Sequence, residues 1–296
     1  MVTPMLPGGA PDFESLCRLV DHLISQGVTG LLVLGSCGEN GALTQAERLE
    51  VAGAAIQRAA GRVHVTVGVP ALGPREAAAD AARYADLGAD SVLVPAPFVF
   101  PLSQAELRRH FENVAGSAGI PVLAYNLPSR VNVWLEPELL KELAASGAIV
   151  GVKDSSSNIE RERTLAEETA EVVGFRRYTG SEECIDALLL GGFHGAVPGL
   201  ANPFAPFHVR LAEAAGRGDW AEASAVQGKI IELAGLYRQP LPDGSFSAQV
   251  MAALKEALRQ QGVIEYSSTS FPFVQADDAM RAHVRSMLDR ASSLLE

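Results

Sequence analysis

Apolar positions in this chain fall into two patterns. Strand-length runs recur at GLLVLG (30–35), VHVTVGV (63–69), SVLVPA (91–96), IPVLAYN (120–126), AIVGVKD (148–154), FRRYTG (175–180) and HGAVPG (194–199). MVTP at residues 1–4 reads as the remnant of one more. Between these runs lie longer stretches whose apolar residues recur on one helical face. Several open on a cap: TQAE (Thr44, Glu47) and SQAE (Ser103, Glu106) are capping boxes, and NPF puts Pro203 at a first helical position. Apolar strands alternating with helices predict a parallel sheet covered on both faces.

With the remnant counted, eight such units by about residue 216 close a (β/α)8 barrel. Residues 1–216 are therefore expected to form the barrel and 217–296 a C-terminal helical domain. That tail carries three helical segments, WAEASAVQGKIIELAGLY, SAQVMAALKEALRQQGV and DAMRAHVRSMLDRASSLL. The rival architecture, a doubly wound open sheet, would carry a G-x-G-x-x-G turn after its first strand, and none is present.

Composition narrows the function. In 296 residues, 48% are apolar and the net charge is −11, so a core can be buried while no basic surface for nucleic acid is available. No apolar run reaches the length of a membrane span, and no secretory leader is recognised at the start. Cys17, Cys37 and Cys184 are scattered, unlike a disulfide framework, which fits a cytoplasmic protein. The six histidines show no metal-ligand spacing, so neither a metal nor a cofactor is expected.

Active sites of barrels lie where strands end at their carboxyl side. There the chain places GSCGEN, APFVF, YNLPSR, KDSSS, TGSEE and VPGLANP. Lys153 and Tyr125 end adjacent strands, so an amine and a phenol can converge. Loss of hydration favours the neutral, nucleophilic amine, and a nearby phenol can move protons during imine formation. The competing reading makes Lys153 the ion-pair partner of Asp154 or of another carboxylate, and Tyr125 a core residue. The GSCGEN turn can offer backbone N–H groups and the Ser36 hydroxyl to a carboxylate, or be a plain tight turn. Cys37 as a nucleophile would need a histidine base, which the sequence does not place nearby. Arg130 suits a substrate carboxylate or a surface role. TGSEE would repel a phosphate through Glu182 and Glu183, and Ser181 reads as a helix cap.

GSCGEN, YNLPSR and GVKDSSS, in this order, with GAVPGLAN and ALKEALRQQGV, resemble the dihydrodipicolinate synthase / N-acetylneuraminate lyase family along the whole chain. The resemblance implies a homotetrameric (β/α)8 barrel with a helical tail and class I aldolase chemistry on pyruvate or a related 2-oxo acid. It makes Lys153 the Schiff-base lysine and Tyr125 the proton-transfer tyrosine. Ser36 and Cys37 take the two hydroxyl positions that hold the keto-acid carboxylate, on a turn shaped by Gly35. Val197 matches the residue whose main chain lies against the keto acid, and Arg130 the arginine that grips the second substrate.

Departures from the family pattern bear on the substrate. Val99 stands where the synthases carry a relay tyrosine, and Cys37 replaces a hydroxyl with a weak donor. Leu72, Gln45 and Phe98 replace polar residues of a lysine feedback site. The first strand reads as shortened. The leading expectation is an aldolase or lyase joining or cleaving a 2-oxo acid and an aldehyde or sugar-acid partner. The synthase reaction itself, pyruvate with aspartate semialdehyde, is the alternative. An alternative of another class is a 2-oxo-acid-binding protein with reduced turnover.

Overall fold

In the computed structural model, residues 1–70 and 73–295 are described, and they divide into two units. One comprises Val65–Pro198, the other Met1–His64 with Gly199–Glu296.

The Val65–Pro198 unit is the strand-rich one. Strands β2 (His64–Gly68), β3 (Ser91–Pro95), β4 (Val122–Asn126), β5 (Gly151–Asp154), β6 (Arg176–Thr179) and β7 (Gly195–Ala196) pair in sequence order, each parallel to the next. Every residue of β3, β4 and β5 is buried, as expected where both faces of a parallel sheet are covered. The cover comes from α3 (Pro74–Asp86), α4 (Gln104–Ala118), α5 (Pro128–Val131), α6 (Pro137–Ala145), α7 (Ile159–Glu168) and α8 (Ile185–Leu190). The Ser103–Glu106 capping box opens α4 as its sequence predicts. Close strand pairing demands glycine at 151, where a Cβ would lie 2.5 Å from the Arg176 carbonyl oxygen.

The other unit holds α1 (Phe13–Ser25), β1 (Gly30–Val33) and α2 (Gln45–Ala59) from its first segment. Its second segment supplies α9 (Ala201–Gly216), α10 (Trp220–Leu233), α11 (Phe246–Gln260) and α12 (Asp278–Leu295). Thr44 and Glu47 form the expected capping box on α2, and Asp12 caps α1 through the Ser15 N–H. Leu16, Leu19, Leu254, Leu258 and Val284 are among its fully buried side chains.

Two local expectations are corrected here. Residues 1–4 form no strand: the Met1 amino group donates to the Leu32 carbonyl of β1 at 2.6 Å, but the Val2 N–H turns to the Asn202 side chain at 2.8 Å and Pro4 has no N–H. Seven strands are therefore present among the described residues rather than eight. Pro203 is the third residue of α9, not its first, because the helix starts at Ala201 and breaks at Phe204 (φ −128°, ψ 37°), resuming around Pro206.

Candidate active site

In the Val65–Pro198 unit the register of β4 on β5 sets Tyr125 beside Lys153 and Asn126 beside Asp154. Paired residues on neighbouring strands point to the same face, and successive residues to opposite faces. Tyr125 and Lys153 are both buried, at 7% and 8% exposure. The lysine Nζ lies 4.8 Å from the tyrosine ring centroid, within cation–π range. Among the described residues Lys153 makes no ion pair. Asp154, its candidate partner, is engaged elsewhere: Oδ2 accepts from Asn126 Nδ2 at 2.6 Å and Oδ1 from the Ser156 N–H at 2.8 Å. Asn126 Oδ1 in turn accepts from the Leu135 N–H at 3.1 Å. Asn126 and Asp154 thus brace the ends of β4 and β5 on the face opposite Tyr125 and Lys153.

The turn after β6 closes against the lysine stem. A Cβ on Gly180 would lie 2.1 Å from Ser155 Oγ and 3.2 Å from Lys153 Cε. The Gly180 N–H donates to the Asp154 carbonyl at 2.6 Å, so the turn is tied to the strand that carries Lys153. Ser181 does not cap a helix as its sequence suggests. Its Oγ donates instead to Glu162 Oε1 at 3.0 Å, beside a second bond from Thr179 Oγ1. Burial, then the like charge of Asp154, push the Glu162 carboxyl up to about 7. Burial raises the Cys184 thiol to about 11, which leaves little thiolate and no nucleophile there.

Arg130 lies exposed on α5, whose Pro128 sits at its first position. Val197 follows β7, half-buried, and donates its N–H to the Thr179 carbonyl at 2.8 Å. Val99 is 63% exposed between Phe98 and Phe100, which are also exposed. Of the feedback-site positions, Gln45 begins α2, Phe98 is exposed, and Leu72 lies outside the described residues.

The other unit contains the GSCGE turn. Just after β1, Leu34 lies in the left-handed region (φ 56°), and Ser36–Gly38 form one turn of 3-10 helix. Glu39 is also left-handed, at φ 53°. Two left-handed non-glycine residues cost about 1–2 kcal/mol each, and such strain persists only where the surroundings hold it. They do so here. Thr3 Oγ1 donates to the Gly38 carbonyl at 2.7 Å, and Asn40 Nδ2 to the Leu34 carbonyl at 2.7 Å. Glu39 is buried and pairs with Lys255 of α11 at 2.5 Å. It also accepts from the Ser270 N–H at 2.8 Å and Oγ at 2.6 Å. Lys255 donates to the Ser268 carbonyl as well, at 2.8 Å, and its own burial holds its ammonium below the usual lysine range despite Glu39. Gly35, Ser36 and Cys37 therefore sit on a rigid turn, where a Cβ at Gly35 would meet Leu32 Cδ2 at 3.0 Å.

The structure brings Lys153 and Tyr125 together, and Gly35, Ser36 and Cys37 together. Sequence reading missed Gly180, Asn126, Glu162 and the Glu39–Lys255–Ser270 group. A signal existed for two of them: Glu162 and Lys255 lie on the stripes of Leu165 and Ala166 and of Met251 and Leu258, where a charge is out of place. Among the described residues no His, Cys, Asp and Glu side chains gather as a metal site, and no helix is long and apolar enough to cross a membrane.

Residues 1–291 match the model of the dihydrodipicolinate synthetase family. The 4-hydroxy-tetrahydrodipicolinate synthase of Laribacter hongkongensis is 33% identical over 292 residues, covering 99% of this chain and 97% of that protein. YagE, a prophage protein of the dihydrodipicolinic acid synthase family from E. coli K12 solved with pyruvate, superposes with a TM-score of 0.91 at 29% identity, over 98% of this chain and 96% of its own. Dihydrodipicolinate synthase from Bacteroides thetaiotaomicron gives 0.91 at 30% identity, over 98% and 96%. The fold is the (β/α)8 barrel with C-terminal helices that these neighbours have.

Proposed function

This chain belongs to the dihydrodipicolinate synthetase family, and from that premise we infer that it is a carbon–carbon lyase of the class I aldolase type, which joins a pyruvate-type 2-oxo acid to an aldehyde, or reverses that step, through an imine on Lys153. The observation that carries this reading is the buried Tyr125–Lys153 pair, matched in register, with no counter-ion on the amine among the described residues. A lysine kept in such a place without a partner is unfavourable unless the amine reacts. Pyruvate in the YagE structure supports the choice of donor.

Lys153 Nζ adds to the C2 carbonyl of the keto acid, forming a C–N bond. The carbonyl oxygen leaves as water, with protons moved by the Tyr125 hydroxyl. The iminium makes C3 acidic; C3 loses a proton, and the resulting enamine carbon bonds to the aldehyde carbon, whose oxygen takes up a proton. Water then hydrolyses the product iminium and returns the lysine. No electrons enter or leave, so the protein needs no redox partner. In this reading Ser36 and Cys37, on the turn shaped by Gly35, hold the keto-acid carboxylate. The Val197 main chain lies against the same substrate, and Arg130 takes an acidic or polyhydroxylated aldehyde. A cytoplasmic homotetramer completes the reading.

A second reading, 4-hydroxy-tetrahydrodipicolinate synthase, is favoured by the names of the curated relatives and by Arg130. Val99 opposes it, since a valine cannot relay a proton. Pyruvate consumption with aspartate semialdehyde against a panel of polyhydroxylated aldehydes separates the two. Faster turnover with the semialdehyde would select the synthase; faster turnover with a sugar-derived aldehyde selects the broader aldolase. Pyruvate binding with no consumption on any aldehyde would leave a binding protein.

A further inference from the structure

Glu162 on α7 is a carboxyl that the chemistry above does not use. It is 0% exposed. Its Oε1 accepts from Thr179 Oγ1 and Ser181 Oγ, each at 3.0 Å, while Oε2 is buried without a partner. A half-satisfied carboxyl destabilises a fold, so packing does not explain its presence beside Leu165 and Ala166. What it grips is the turn next to Lys153. Thr179 Oγ1 also accepts from the Ser181 N–H at 2.9 Å, which closes the turn on itself. Gly180, between the two, is tied to the Asp154 carbonyl and lies against Ser155 and the Lys153 stem.

We propose that Glu162 is a positioning residue for Lys153: by tying Thr179 and Ser181 to α7 it holds Gly180 as the wall that fixes the lysine side chain. Lys153 is taken here as the imine-forming amine of the function inferred above.

The grip depends on charge. Hydroxyls bond a carboxylate more strongly than a neutral acid, so the turn is held most firmly once Glu162 ionises, near neutral pH. The groups around it supply no compensating cation. Asp154 of β5 is a like charge, and the Cys184 thiol after β6 feels Glu162 in turn, as it feels Glu183 and Asp186. Arg161 on the same helix pairs with Glu136 and stacks on Trp134. Arg163 lies by Gly191, and Arg177 of β6 donates to the Thr169 and Gly192 carbonyls.

The test compares the wild type with Glu162→Gln, which accepts hydrogen bonds but cannot ionise, and Glu162→Leu, which does neither. Two rates are measured from about pH 5.5 to about 8.5, spanning the ordinary histidine range. One is borohydride-trapped imine formation with pyruvate; the other is labelling of Lys153 by an amine-reactive reagent, mapped by peptide mass. The wild type should show a step near pH 7 in both, the Gln variant no step, and the Leu variant about tenfold slower trapping throughout, as mispositioning of a reacting group produces. Thermal melts confirm that each variant is folded. An unchanged step in the Gln variant, with an unchanged rate in the Leu variant, would overturn the proposal. A wild type that traps no pyruvate yet keeps the labelling step would sink the functional reading and leave the positioning role standing; loss of both would end it.

Discussion

Two buried carboxyls in this chain do similar mechanical work under opposite electrostatics. Glu39 fixes the turn that leaves β1, and Glu162 fixes the turn that leaves β6. Glu39 meets the Lys255 ammonium and the N–H and hydroxyl of Ser270. Glu162 meets two hydroxyls, a like charge and no cation. The contrast teaches that a buried charge with its counter-ion is a fixed brace, whereas a buried acid without one responds to pH. The first holds a strained backbone in place; the second holds a wall that pH can loosen.

The paired site breaks most severely. Lys255→Met strands an uncompensated Glu39 and should lower unfolding free energy by about 3–5 kcal/mol in urea titration. A second change, Glu39→Gln, should recover part of that loss; a single mutant with wild-type stability would show that the pair braces nothing. The unpaired site should appear as a slope. Its folded carboxyl titrates at about 7, above the ordinary carboxyl value of 4.5, so the folded state binds the extra proton. The contribution is fully present below about pH 4.5 and is lost as pH rises through about 7. The wild type should therefore lose on the order of 3 kcal/mol against Glu162→Gln across that window. A flat or opposite difference would contradict the assignment.

Smaller effects sharpen the contrast. Gly180→Ala forces its new methyl onto Ser155 Oγ, for about 1–2 kcal/mol of destabilisation, together with slower labelling of Lys153. Adding Ser155→Ala should restore both; failure to do so would place the clash elsewhere. The mildest change is Ser36→Ala, which removes one donor from the turn that Glu39 braces. It should raise the pyruvate concentration for half-saturation about tenfold, as for a lost bond to a charged group, with Tm unchanged. An unaltered saturation curve would remove Ser36 from the carboxylate site.

Much of this was legible in the sequence because it is local. Continuous Val, Ile and Leu runs marked the strands, and Thr44–Glu47 and Ser103–Glu106 marked two helix starts to the residue. Lys153 beside Tyr125 followed from counting strand ends. What failed was long-range. MVTP has the composition of a strand, but Asn202 takes its next N–H and Pro4 offers none. Ser181 has the spacing of a cap, but a carboxyl on another helix takes its hydroxyl. Glu162 and Lys255 were visible as charges on apolar stripes, yet Thr179 and Glu39, which they meet, lie 17 and 216 positions away in sequence and are brought to them only by the fold.

The central claim is that Lys153 makes an imine. The most direct measurement is incubation with pyruvate, borohydride reduction, and peptide mass mapping of the wild type beside Lys153→Ala. A reduced pyruvate adduct on the peptide containing Lys153, absent from the variant, is the predicted result. No adduct in the wild type, or one that persists in Lys153→Ala, would contradict it.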